Sequence, residues 1–272
     1  MLLYAWPGIF WALTSGLARG RDLELNEVGW WSHWASLYWV GRASYIIHSP
    51  VFDEYFFNRA GFVDCTGGRD AIPKIEAEFE ALARPPCFSV QEECRETMAM
   101  LESYGYATFD RMSVMQLDRP KFKAAVGMTV LSGHEVGPEE WAAAYSRSFY
   151  GGLRMQDSVS SIANRLKVES PVILFAGEKD GKTLGILAAF RTPGLLGVYC
   201  VGTLGEHRGV GVAGSLIQEA NRVAFAEGRL LILQTIASER VDDFYLRGGF
   251  RRLYLKRLMR REASAPNRRR RR

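Results

Sequence analysis

The sequence is poor in the residues that bind metal ions. Its 272 residues include four cysteines and four histidines, and the cysteines show no C-x-x-C spacing. Zinc sites need such ligands in clusters, so the sequence predicts no metal ion. The simplest expectation is reduced, buried thiols in a cytoplasmic protein, and the thiols concerned are Cys65, Cys87, Cys94 and Cys200.

The sequence also lacks a well-formed membrane span or signal segment. The apolar stretch Met1–Leu17 is marginal in length for a span, and Pro7 interrupts it. It has no basic region at its start and no small-residue cleavage site, both of which a secretory signal needs. Residues 1–24 are therefore expected to be an apolar extension, either a helix packed on the body or a piece upstream of the natural start. Membrane contact is disfavoured.

Excess charge is absent from the body of the chain. The formal net charge is +5, and the run Arg268–Arg272 accounts for all of it. A terminal arginine run is typical of a solvated tail that touches acidic partners without specificity. We therefore predict a basic disordered tail at 263–272 and no specific nucleic-acid partner.

The composition does support large hydrophobic cores. Apolar residues make up 47 % and aromatic residues 12 % of the chain, and the length suits two domains of about 130 residues each. We predict one domain over 25–120 and a second over 125–262. The polar, proline-containing segment Asp118–Lys123 is the predicted linker.

The second domain has the pattern of a mixed α/β unit, in the order β-α-α-β-β-β-α-β-α-β. An antiparallel start and a parallel crossover around the long helix predict one mixed sheet. Helices are predicted at 138–150, 156–167, 215–227 and 241–247, and strands at 128–131, 172–177, 184–191, 198–203, 230–236 and 250–258.

The end of the first domain repeats part of this order. Helix 72–82, strand 87–90, helix 95–103 and strand 107–117 follow one another, with Tyr104-Gly105-Tyr106 before the last strand. Residues 213–258 show the same series of parts. Such a weak repeat predicts a tandem arrangement of two similar folds.

A glycine-rich turn, His207–Ile217, is the most informative feature. It follows the apolar run Val198–Thr203 and leads into a helix, an arrangement that can hold phosphate. Glycine lets backbone N–H groups approach an anion, and the helix start adds about +0.5 of an elementary charge. The spacing Gly209-x-Gly211-x-x-Gly214 also fits a dinucleotide-binding motif. That alternative is disfavoured, because the motif lies late in the chain after antiparallel strands.

Two motifs resemble those of the GCN5-related N-acetyltransferase (GNAT) family. The loop R-x-x-G-x-A from residue 208 is similar to the family's Q/R-x-x-G-x-G/A, and F-Y-x-x-x-G-F from residue 244 is similar to its closing motif. The resemblance covers residues 125–260. It implies an α/β fold of tandem GNAT-like mixed sheets flanked by helices, with the second domain catalytic.

The resemblance further implies that acetyl-CoA is the acyl donor. Backbone N–H groups of the loop would hold its pyrophosphate, and the strand before the loop would pair with its pantetheine arm. Ser238 stands where the family commonly has asparagine. The implied cofactor-binding residues are Val201, Thr203, Arg208, Gly209, Val210, Gly211, Val212, Ala213, Gly214 and Ser238.

Tyr245 is the predicted general acid, because a phenol of pKa about 10 can protonate a departing thiolate. No base is assigned: Glu206 and His207 flank the loop, but such charges are commonly solvated and a water relay can serve. Cys200 could suggest an acyl-enzyme, yet its place on a strand favours a buried thiol. The aromatic and glycine residues of Phe149–Met155 suit a mobile wall of the acceptor cleft.

The first domain is not expected to bind the cofactor. It has Thr66–Asp70 in place of the loop and Leu101 in place of the tyrosine, so we predict a degenerate copy that shapes the substrate cleft. Core or interdomain positions are expected for Asn58, Trp30, Trp31, Trp34 and Trp39.

The predicted function is direct transfer of acetyl from acetyl-CoA to a primary amine of a small molecule or peptide. Two alternatives remain open, a non-catalytic acyl-CoA-binding regulatory module and a transferase that uses another acyl donor. A homodimer is compatible with the sequence.

Overall fold

The computed structural model describes residues 20–168 and 171–261. The apolar extension through residue 19 and the basic tail from 263 lie outside the described residues. Within them, helices α1–α7 are Gly20–Trp31, Gly68–Ala81, Arg95–Ser103, Pro138–Tyr150, Gln156–Val168, Val212–Ala226 and Asp242–Arg247. Strands β1–β11 are Ser36–Trp39, Ser44–His48, Arg59–Phe62, Cys87–Gln91, Tyr106–Leu117, Thr129–Ser132, Val172–Lys179, Lys182–Thr192, Leu195–Thr203, Leu230–Ile236 and Phe250–Arg261. None of these helices is long and apolar enough to cross a bilayer.

The chain divides into two compact units, and each unit is built from two separate segments of the sequence. The larger unit contains the described chain through Trp34 together with Ser113–Leu253. The smaller unit contains Ala35–Met112 and the described chain from Tyr254. This division differs from the predicted boundary at 120–125, because it falls within β5 and within β11. A hydrophobic pattern identifies a strand but not its partner.

The larger unit contains the predicted mixed sheet, with strand order β5-β10-β9-β8-β7-β6. Neighbouring strands from β6 to β9 are antiparallel. Strands β9 and β10 are parallel, and α6 connects them. One side of the sheet packs on α6 in a core that includes Val198, Leu216 and Leu231.

Helix α1, which the sequence did not predict, packs on β8 and β9. Its Asn26 side chain donates to the Phe190 carbonyl (3.2 Å) and accepts from the Tyr199 hydroxyl (2.7 Å). Tyr199 and the core residue Val198 are adjacent on a strand, so their side chains point to opposite faces. Helices α1 and α6 therefore cover opposite faces of the sheet.

The tryptophans expected in the core divide between buried and exposed. Trp30 is 0 % and Trp34 5 % exposed, and both pack in the larger unit. Trp31 is only partly buried. The expectation fails for Trp39, which is 47 % exposed, because β1 pairs on one side only and carries a mostly exposed set of side chains. Asn58 is buried as expected.

The smaller unit contains the predicted repeat except the end of its last strand, because β5 from Ser113 belongs to the larger unit. The strand order of the smaller unit is β1-β2-β3-β4-β11. Strands β1 to β3 are antiparallel, and β3 and β4 are parallel around α2, as β9 and β10 are around α6. Gly105 and Gly249 precede the last strands of the two series and both have left-handed φ values, 83° and 98°.

The expectation that all cysteines are reduced is wrong for two of them. Cys65 and Cys94 form a disulfide, with Cα atoms 5.0 Å apart. They lie just before α2 and α3, so the bond joins the starts of two helices that are distant in sequence. Cys87 is a buried free thiol, and burial raises its pKa to about 12.

Candidate functional site

The sheet of the larger unit opens where β9 and β10 part. The two strands pair from Leu195 to Val198 on β9 and from Leu230 to Leu233 on β10. Beyond these residues they no longer pair, although β9 continues to Thr203. Within 20–168 and 171–261, no strand pairs with this side of β9 beyond Val198, and the Thr203 carbonyl accepts a hydrogen bond from Arg208 Nε (3.3 Å).

A β-bulge lies near the point where β9 and β10 separate, which we call the strand fork. Cys200 and Val201 together oppose the single residue Leu187 of β8, and Cys200 has a left-handed φ of 53°. The bulge breaks the alternation of the strand, and residues 201–203 all line the same cavity. Cys200 is a free cysteine of intermediate exposure, not fully buried as predicted. Burial of its thiol still raises the pKa well above the usual value, which disfavours a role as nucleophile.

Helix α6 begins directly after the glycine-rich loop. Its N-cap residue is Gly211, with a left-handed φ of 95°, and no side-chain cap is found in the described part of the chain. The first N–H groups of a helix have no acceptor within it, so here they remain available to an anion. Gly209 also has a left-handed φ, 81°, a conformation in which a side chain is strained.

The fork and the loop line one cavity of about 1160 Å³. Of the predicted site residues, Ser238 is not among the lining residues and lies in the turn Ala237–Glu239. Those that the structure brings together are Val201, Thr203, Arg208, Gly209, Val210, Gly211, Val212, Ala213, Gly214 and Tyr245.

The charged side chains that line this cavity are mainly cationic. The positively charged lining residues are Lys121, Lys123, Arg208 and Arg247, and Glu239 is the one carboxylate in the described lining. Such a surface attracts an anionic ligand. Together with the uncapped helix start, these residues fit a ligand that carries several phosphate groups.

The predicted linker lies across the start of α6. Most of this linker and the two residues after it, 119–125, form a segment that we call the strap. The ring of Phe122 in the strap contacts the rings of Phe244 (5.3 Å between centroids) and Phe250 (6.1 Å). Hydrogen bonds hold it from Lys121 N to the Gly248 carbonyl (2.8 Å), from Gln218 Nε2 to the Phe122 carbonyl (2.7 Å) and from Ala125 N to Ser215 Oγ (2.8 Å).

The strap approaches two of the loop glycines closely. A Cβ on Gly211 would lie 2.9 Å from Ala125 N, and a Cβ on Gly214 would lie 2.5 Å from the Lys123 carbonyl oxygen. A Cβ on Gly209 would meet no atom of the described residues within 4 Å. Gly211 and Gly214 thus allow the close approach of the strap, whereas Gly209 borders open space.

Tyr245 lies on α7 at the cavity wall. It is 9 % exposed, and its ring contacts those of Phe244 and Phe250. Burial, with a contribution from the charge of Glu239, raises the pKa of its phenol above the usual value. The raised pKa keeps the phenol protonated, which is the state a general acid needs, and it also makes the phenol a weaker proton donor than an unperturbed tyrosine.

The residues that flank the loop, Glu206 and His207, and those of the predicted acceptor wall differ in whether they line the cavity. Glu206 is exposed, whereas His207 lines the cavity. Phe149 also lines it. The Ser146 hydroxyl donates to the Gly152 carbonyl (2.6 Å) and accepts from Met155 N (3.2 Å), which restrains the segment predicted to be mobile.

Two polar side chains near the fork were missed by the sequence reasoning. The Ser148 hydroxyl and the Gln234 amide are buried and have no hydrogen-bond partner among the residues that the structure describes. Gln234 interrupts an apolar strand, which was a visible signal. Ser148 gave none, because a serine near the end of an amphipathic helix is unremarkable in sequence.

Within 20–168 and 171–261, no group of three or more His, Cys, Asp or Glu side chains is placed to hold a metal ion.

Known proteins resemble this chain in structure, and their sequence identity to it is low. No protein-family model matches the chain, and no curated protein matches it. A GCN5-related N-acetyltransferase from Kribbella flavida superposes with a TM-score of 0.66 at 17 % identity, covering 91 % of this chain and 97 % of that one. One from Sphaerobacter thermophilus gives 0.60 at 16 % identity, with 83 % and 82 % covered.

A third solved structure has two domains. It is a tandem GNAT protein from the clavulanic acid biosynthesis pathway, with a TM-score of 0.55 at 12 % identity and coverage of 89 % of this chain and 95 % of that one. The chain therefore has the GNAT fold, as two α/β units with mixed sheets flanked by helices. The mixed strand directions also exclude the doubly wound parallel sheet of the dinucleotide-binding alternative.

Proposed function

We propose that the larger unit is an acetyl-CoA-dependent N-acetyltransferase that transfers acetyl directly to a primary amine. The observation that carries this proposal is the convergence of the strand fork, the uncapped helix start and Tyr245 on one cavity. Structural neighbours described as N-acetyltransferases support it. The smaller unit has no counterpart of the loop motif.

The cavity residues suit the parts of acetyl-CoA. The N–H groups at residues 208–214 would bind the pyrophosphate, and the unpaired edge of β9 at Val201 and Thr203 would pair with the amide groups of the pantetheine arm. The cationic lining residues add favourable charge for the phosphates.

The transfer needs no covalent enzyme intermediate. The amine nitrogen forms a bond to the thioester carbonyl carbon, and the carbon–sulfur bond breaks with its electron pair on sulfur. The thiolate takes the proton of the Tyr245 phenol, and water accepts the proton that the amine loses. Solvent then returns a proton to Tyr245.

We further propose that the acceptor enters beside the segment Phe149–Met155. Phe149 and Leu153 are 47 % and 48 % exposed and offer an apolar surface to a small molecule or peptide. The cytoplasmic location and a homodimer stay predictions of the sequence. In a reducing cytoplasm Cys65 and Cys94 would be thiols, so their redox state in cells tests the location.

The test is release of free thiol from acetyl-CoA in the presence of a panel of primary amines. We expect release that depends on the amine and yields an acetylated product detected by mass spectrometry. Binding of acetyl-CoA without release by any amine would favour the regulatory module. A larger thermal stabilisation by another CoA ester would favour a different acyl donor.

A further inference from the structure

The Ser148 side chain lies in the cavity wall beside the strand fork. Ser148 is on α4, which packs on β8 and β9, and it lines the cavity together with Val201 and Thr203. It shares the inward helix face with Trp141 and Tyr145, which are 0 % and 5 % exposed. A Cβ on Gly202 would lie 3.0 Å from Ser148 Oγ, so the hydroxyl rests directly against β9.

This hydroxyl is buried without a partner in the described chain. Burying a hydroxyl without a hydrogen bond is unfavourable, and alanine would fill the same helix position without that loss. Helical serines commonly bond to the carbonyl four residues earlier, but Ser148 does not. The cavity in front of it is the remaining place for a partner.

We propose that the Ser148 hydroxyl donates a hydrogen bond to the carbonyl oxygen of the acyl thioester. This inference rests on the proposed function, because it takes the acyl arm to lie along the unpaired edge of β9. As the amine nitrogen bonds to the carbonyl carbon, negative charge develops on that oxygen, and a fixed donor stabilises it. The carbon–sulfur bond then breaks, and the leaving sulfur takes its proton from Tyr245.

The test compares two ligands that differ at the carbonyl. Acetyl-CoA has this oxygen, and S-ethyl-CoA, a thioether of the same length, lacks it. In calorimetric titrations we expect the wild type to bind acetyl-CoA more tightly, by a ratio of about fivefold, the effect of one neutral hydrogen bond. In Ser148→Ala the ratio should approach one. Ser32→Ala, which removes an exposed hydroxyl, should keep the wild-type ratio.

The other outcomes overturn the proposal in distinguishable ways. An unchanged ratio in Ser148→Ala, or an equal loss of affinity for both ligands, means that Ser148 serves packing alone, and the proposed function stands. Failure of the wild type to bind either ligand contradicts the proposed function as well. Because Ser148→Ala removes an unpartnered group, its melting temperature should not fall, and this confirms that the variant is folded.

Discussion

At the residue scale, the proposed mechanism depends on the protonation of Tyr245. Burial raises the pKa of its phenol, so the acid form persists above pH 10 and does not limit the reaction at lower pH. The acceptor amine must be unprotonated to attack. The rate with limiting amine should therefore rise from pH 6 to pH 9 without a descending limb, and a flat profile over that range would contradict direct transfer.

Removal of the Tyr245 hydroxyl tests the same assignment. In Tyr245→Phe we expect thiol release to slow by about 100-fold or more, while acetyl-CoA binds within about twofold of the wild type, because the ring that packs on Phe244 and Phe250 is retained. Tyr104→Phe, at a residue 43 % exposed in the smaller unit, is the matched control. An unaltered rate in Tyr245→Phe would remove Tyr245 from the reaction.

Some site residues could be predicted from the sequence and others could not. The loop motif led to residues 208–214 and to Tyr245, which do line one cavity, because backbone geometry and spacing are local properties. Ser148 approaches Gly202 only after a helix and a distant strand pack together. Gly211 and Gly214 serve the strap as well as the loop, and neither contact is encoded in nearby residues.

At the scale of elements, the strap makes the predicted linker part of the site. In the first turn of a helix, Gly→Ala commonly stabilises by up to about 1 kcal/mol. At Gly214 the new Cβ would meet the Lys123 carbonyl oxygen at 2.5 Å, so Gly214→Ala should instead lower the free energy of unfolding by about 1–3 kcal/mol. Urea unfolding measures this. Gly205→Ala, where a Cβ meets nothing within 4 Å, should change it little, and equal effects would contradict the packed strap.

The disulfide joins two helix starts in the smaller unit. Cys65 and Cys94 are 29 residues apart, and closing a loop of that size lowers the entropy of the unfolded chain, which stabilises the folded state by about 3.6 kcal/mol. Reduction should lower the free energy of unfolding by about that amount. The variant with serine at both positions should unfold like the reduced protein and ignore reductant. Detection of two free thiols at these positions in the oxidised protein would contradict the bond.

At the scale of the whole molecule, the order of elements and the mixed sheet of the larger unit were predictable, and the partners of β5 and β11 were not. Every predicted helix and strand of 125–262 is present, with ends that shift by at most three residues. The sequence did not show that β5 borders β10 or that β11 borders β4, because strand pairing depends on distant parts of the chain. Helix α1 was missed for a related reason: its buried Asn26 and Glu24 look like surface residues.

The division into units predicts which pieces fold. The segment 125–262 lacks α1 and the part of β5 that belongs to the larger unit. It would leave one edge of β10 unpaired and the face of Tyr199 uncovered, so we expect no cooperative urea transition from this segment. The full chain should unfold cooperatively under the same conditions. A sharp transition of 125–262 alone would show that these elements are dispensable.

The central claim is that the glycine-rich loop and the start of α6 bind the phosphates of acetyl-CoA, and calorimetric titration tests it most directly. Val210 is 61 % exposed in the loop and lines the cavity, so Val210→Glu adds a carboxylate beside the phosphates without disturbing the strap glycines. We expect the wild type to bind acetyl-CoA and Val210→Glu to bind it about tenfold more weakly or worse. Phe225→Glu, an equal charge change at a residue 86 % exposed near the far end of α6, should bind as the wild type does. No binding by the wild type, or equal binding by Val210→Glu, would contradict the claim.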